Sequence, residues 1–128
     1  MPLAMEENPR RLEVDRFVLA EIDSVPHIEA LLLLWNGRAT AHRAEKLTAL
    51  LYLPIEHTLK ILEDLQQRNM ILRTEAGYAY NPDYPRDDLM QQVDKTWRSE
   101  LVRLSNMIHS KASPAVREFA RAFRLKKD

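Results

Sequence analysis

Residues 47–80 read LTALLYLPIEHTLKILEDLQQRNMILRTEAGYAY, and helix, turn, helix and hairpin signals follow one another along them. Leu47, Thr48 and Leu51 continue an apolar stripe from Ala44. That spacing predicts a helix over about 41–51, which Thr40 can cap. Tyr52-Leu53-Pro54 is a tight turn, and Pro54 falls where the first turn of a helix tolerates a missing N–H. Ile55, Leu59, Leu62 and Leu65, widened by Ile61, form the stripe of the next helix. Asn69 ends it, as the non-glycine residue best suited to a left-handed C-terminal position. Met70–Arg73 and Tyr78–Tyr80 are β-prone runs around a turn containing Gly77, which predicts a small hairpin. Asn81-Pro82-Asp83-Tyr84-Pro85 is a proline-rich linker that cannot continue a strand.

Upstream, residues 24–35 read SVPHIEALLLLW. Ser24 is a natural N-cap, Pro26 fits just inside a helix start, and Gly37 follows its end, where a left-handed residue is expected. Ile28, Leu31, Leu32 and Trp35 fall on one face, while Leu33 and Leu34 lie outside it. Such a helix is apolar most of the way round and must be covered on both sides, so it is read as the centre of a helical domain. The apolar run is too short for a membrane span. Val14, Phe17, Val18 and Ile22 keep roughly helical spacing and predict a leading helix over the spare face, with strand as the alternative.

Downstream, a long helix is expected from Arg86, with Asp87 and Asp88 favoured by the dipole of its first turn. Met90, Val93, Trp97, Leu101, Leu104 and Ile108 form a narrow seam like a coiled-coil face, read as a dimer interface or as packing on the chain's own domain. Ser113-Pro114 starts a last helix, with Val116, Phe119, Ala120 and Phe123 opposite Arg117, Arg121 and Arg124. Lys126 and Lys127 extend that basic cluster, for which chain-end charges complementing the helix dipole are the simpler reading. The expected organisation is a frayed tail over 1–11, a domain with its leading helix over 12–82, and a C-terminal helical arm over 83–128.

The chain has 128 residues, enough to bury a core without staples. It has no cysteine, which excludes disulfides and thiolate metal sites. Its polar N-terminus has no apolar signal core, so a cytoplasmic protein is expected. Net charge is zero, so any nucleic-acid footprint must be local. Gly37 and Gly77 are the only glycines, and no phosphate-cradling loop, serine elbow or paired acid–base motif is present. His27, His42, His57 and His109 form no ligand frame and are read as surface or capping groups. No enzyme, cofactor or metal is expected.

The order helix, helix, tight turn, helix, hairpin resembles a winged helix-turn-helix domain, carried by Leu47–Leu53, Leu62, Leu65, Asn69 and Met70-Ile71. It is similar to bacterial transcriptional regulators of the MarR and PadR types, many of which add dimerising C-terminal helices, and to small bacterial winged-helix proteins. The resemblance covers roughly residues 24–82. It implies a mainly α fold with a winged core, a β-hairpin wing and appended C-terminal helices. It also implies double-stranded DNA as partner, with Glu56, His57, Leu59 and Lys60 facing a major groove. Arg38, His42, Arg43 and Lys46 would hold phosphates, and Arg73 on the wing would approach the minor groove. The sequence departs from the family at Glu56, Glu63 and Asp64, which repel phosphate, and at Leu59, apolar where the family is polar. Those departures support a rival reading, a protein-interaction module that keeps the winged fold without reading DNA.

Overall fold

The computed structural model describes residues 9–111. In order these are α1 (Pro9–Glu21), α2 (Val25–Asn36), α3 (Ala44–Leu51), α4 (Ile55–Gln67), β1 (Ile71–Thr74), β2 (Gly77–Tyr80), α5 (Asp87–Ser99) and α6 (Leu101–Lys111). The architecture is mainly helical with one two-stranded antiparallel sheet. The last helix expected from Ser113 and its basic cluster lie outside the described residues. No described helix is long and apolar enough to cross a membrane.

α2 starts as its sequence predicts. Ser24 is extended, its Oγ accepts the His27 amide, and Pro26 sits in the first turn. Ile28, Ala30, Leu31, Leu32 and Leu34 are all buried, and α4, β2, α3 and α6 pack around the helix. A helix apolar on most sides therefore has neighbours on most sides. α1 is a helix and not a strand, but it packs mainly on α5 and α6 rather than over α2. It begins at Pro9, so Arg10 and Arg11 are helical and not part of a frayed tail.

Two expectations about the α2–α3 connection are corrected. Gly37 caps α2 with φ −103°, which is not left-handed. Space still favours glycine: a Cβ there would lie 2.7 Å from His42 Nε2, and the imidazole would have to shift. The following helix starts at Ala44, not near Ala41, and its cap residue Arg43 makes no side-chain cap bond. The cause is the backbone of His42, whose N–H donates to Tyr78 O at 2.8 Å and whose carbonyl accepts from the Tyr78 N–H at 2.7 Å. Groups committed to a bridge with β2 cannot also start a helix.

α3 buries Leu47 and Leu51. Tyr52 turns the chain in the left-handed region, φ 57°. α4 then buries Thr58, Ile61, Leu62 and Leu65, a stripe at i, i+3, i+4 and i+7. Leu59 is displaced from that stripe and 43% exposed, so its assignment to the inward face is corrected. Thr58 is tolerated inside because its hydroxyl donates to Pro54 O and accepts from Thr48. Asn69 closes the segment at φ 62°, as predicted. The hairpin pairs Ile71 with Tyr80 and Thr74 with Gly77.

The long helix expected from Arg86 is two helices, broken at Glu100. Arg11 and Arg103 both donate to the Glu100 carboxylate, at 2.8 and 2.6 Å, and Arg103 also reaches Asp15 at 2.9 Å. α6 lies beside α1, and Lys111 Nζ donates to the carbonyls of Val18 and Leu19. The proposed dimer seam is corrected accordingly: Met90, Val93, Leu104 and Ile108 are fully buried within one chain. Of the six seam residues only Trp97, half-buried, and Leu101, 48% exposed, keep outward surface.

Candidate nucleic-acid interface

The buried stripe of α4 fixes which residues point away from the core. Glu56, His57, Leu59, Lys60, Glu63 and Gln67 are the exposed ones. The hairpin stands beside this side of the helix, and the two enclose an open cleft of about 660 Å³ lined by Leu59, Lys60, Arg73 and Tyr78 among others. A smaller cleft of about 230 Å³ adjoins it through Leu59, Arg73 and Tyr78 and extends to Arg43 and Glu45. The start of α3, the outer side of α4 and the hairpin thus meet along one surface. Gly77 makes the junction possible. At φ 133° its position suits glycine, and a Cβ there would lie 2.4 Å from the His42 carbonyl oxygen.

The expected contact residues divide into two groups. Arg43, Lys46, Glu56, His57, Lys60 and Arg73 are all exposed. Arg73 leans over the Tyr78 ring at 5.8 Å, which orients a cation along the cleft. Arg38 and His42 belong elsewhere. Arg38 donates to Trp35 O at 2.7 Å and stacks on the Trp35 ring at 4.2 Å, so it closes the end of α2. His42 turns its ring onto Gly37 O at 3.0 Å and serves the bridge to β2.

Charge on this face is balanced. Arg43, Lys46, Lys60 and Arg73 stand among the exposed carboxylates Glu45, Glu56, Glu63 and Glu75. Lys60 lies 3.3 Å from Asp64 and 3.9 Å from Glu63 on its own helix. Both are side-chain pairs that a phosphate would compete with, at small cost for so exposed a lysine.

Asp64 also anchors α4 to α2, a role not read from the sequence. His27 is buried, with Nε2 2.8 Å from Asp64 Oδ2 and Nδ1 2.6 Å from Ser24 Oγ. A neutral ring satisfies every group: the Ser24 hydroxyl donates to Nδ1 and the Nε2 proton goes to Asp64. Burial works to raise the Asp64 carboxyl, but hydrogen bonds from His27 and Lys60 outweigh it and hold it below its ordinary value. The reading of His27 as a surface group is therefore corrected. The local signal was a histidine three residues after an N-cap serine; its partner is remote in sequence. Asp23, His27 and Asp64 bring one metal-ligating atom each within 4.8 Å of one another. Arg68 pairs with Asp23 at 3.3 Å and Lys60 with Asp64, so protein cations already attend both carboxylates.

With this geometry in hand, comparison with known proteins adds no relative: the chain matches no protein-family model, no curated protein and no solved structure.

Proposed function

We propose that the chain is a winged helix-turn-helix protein that binds duplex DNA, in the manner of bacterial transcriptional regulators. In this reading α3, the turn at Tyr52–Pro54 and α4 are the helix-turn-helix, and β1–β2 is the wing. The observation that carries it is the convergence of Arg43, Lys60 and Arg73, from three separate elements, on the adjoining clefts beside the exposed side of α4. Lys60 and His57 would approach base edges, and Arg43, Lys46 and Arg73 the phosphates. Arg38 and His42 take no part. Two chains would pair through the exposed edge of α6 at Leu101 and Val102, 48% and 71% exposed, rather than through the buried seam.

The test is fluorescence anisotropy with random-sequence duplex across a salt series. Binding is expected at low salt and should weaken steeply as salt rises. Arg43→Ala and Lys60→Ala should each lower affinity, and loss of the Arg43 phosphate contact should also reduce the logarithmic salt slope by about 1. Undetectable low-salt binding to duplex overturns the proposal.

The four carboxylates on the same face favour a second reading, with exposed Leu59 among them. In it the surface docks on a protein, and the chain is an interaction module. It predicts no duplex binding, and a protein partner whose capture is lost in Leu59→Asp.

A further inference from the structure

On the side of the molecule where α2, α3 and α5 meet, the chain forms a notch of about 260 Å³. Leu32 and Leu33 of α2, Leu50 and Leu51 of α3 and Trp97 of α5 supply its apolar wall. Its polar rim is uneven. Asn36 donates to Asp94 at 3.0 Å and accepts from Arg98 at 3.1 Å, and Arg98 pairs with Asp94 at 3.1 Å. Those three groups satisfy one another. Glu29, also on the rim, has no hydrogen-bond or ion-pair partner among the described residues. Among the described residues the rim carries two carboxylates and one guanidinium, which leaves one negative charge uncompensated by them beside an apolar wall. Trp97, packed on one side against the core, makes no hydrogen bond or aromatic ring contact with the described residues and lines the notch with its remaining surface.

We infer that this notch binds a small protonated amine carried on an apolar or aromatic body. The leucines and the Trp97 ring would hold the body, and Glu29 would pair with the ammonium group. An anionic ligand of the same shape is disfavoured, because Glu29 would repel it and Arg98 is already engaged. The volume suits a fragment-sized molecule, below the usual range of drug-sized pockets. Burial against the wall raises the Glu29 carboxyl above its ordinary value, consistent with a charge that lacks a counterpart. The inference is independent of DNA binding, since the notch shares no residue with the clefts beside α4.

The experiment is an NMR titration of the full chain with 2-phenylethylamine, and in parallel with 3-phenylpropionate. Trp97→Phe identifies the Trp97 indole N–H signal. The amine should shift that signal saturably, and the acid should leave it in place. Glu29→Gln, at an exposed position without bonds to lose, should weaken the amine by about five-fold, the upper end for a half-exposed ion pair. Failure of the amine to move the Trp97 signal overturns the inference. Equal binding of acid and amine, or an unchanged titration in Glu29→Gln, overturns it as well.

Discussion

Tyr52 turns the chain between α3 and α4 at φ 57° with its side chain 91% exposed. A left-handed backbone costs an L-residue roughly 1–2 kcal/mol unless the residue is glycine or asparagine. Among the described residues nothing repays that cost, because they leave the ring almost wholly in solvent. Tyr52→Asn should therefore stabilise the fold by about 1 kcal/mol, read as a higher midpoint in urea with unchanged slope. Glu100 is the opposite case, a residue whose surroundings stabilise it. Hydrogen bonds from Arg11 and then Arg103 hold its carboxyl down to about 2. An unfolded carboxyl titrates near 4.3. The stabilisation is thus complete above the unfolded value and is lost as pH falls toward 2. Glu100→Gln should cost on the order of 1 kcal/mol at neutral pH, discounted for solvent access. Denaturation measured over a pH series should show the gap between the two proteins closing as pH falls from about 4.5 to 2. A gap that stays constant to pH 2 would remove Glu100 as its source.

At the scale of elements, the helices and hairpin were legible wherever their signals are local. Ser24 and Pro26 mark the start of α2, Asn69 the end of the α4 segment, and β-prone runs around Gly77 the hairpin. What could not be read was set by partners distant in sequence. Val93, Trp97, Leu101, Leu104 and Ile108 keep helical spacing straight through Glu100, with no proline or glycine to mark a break. The break coincides with the grip of Arg11 and Arg103 on the carboxylate. The start of α3 moved for the same kind of reason, the bridge between His42 and Tyr78. Of the expected contact residues, Arg43, Lys46, Glu56, His57, Lys60 and Arg73 fall on the exposed face because α4 periodicity and hairpin position already fixed them. Arg38 and His42 do not, because their partners lie on Trp35 and Gly37. Gly77 tests this view of the bridge. Gly77→Ala would force a left-handed alanine and drive its Cβ into the His42 carbonyl. It should destabilise the protein by about 2 kcal/mol. Exchange of the Tyr78 amide should accelerate more than that of the Leu62 amide, because the hairpin detaches before the core opens.

For the molecule as a whole, the issue is what α5 and α6 are for. Their apolar residues pack on α1 and α2 of the same chain, so the buried seam belongs to one core. Leu104→Ala removes a fully buried side chain and should cost about 2–4 kcal/mol of folding stability. Association through the seam would make that cost depend on protein concentration, since a partner subunit stabilises by mass action. Folding within one chain makes it independent of concentration. The outer edge of α6 behaves differently. Val102 is 71% exposed, so an aspartate there meets solvent and should leave the folding stability of the single chain nearly unchanged. If two chains pair through that edge to span two half-sites of DNA, Val102→Asp should reduce the solution mass to that of one chain. It should also lower duplex affinity while sparing the stability of the single chain, read by melting at dilutions where the parent protein is monomeric too. Light scattering and thermal melting on the two variants separate the roles. A Leu104→Ala cost that varies with protein concentration, or an unaltered dimer in Val102→Asp, would reverse this assignment of inner and outer faces.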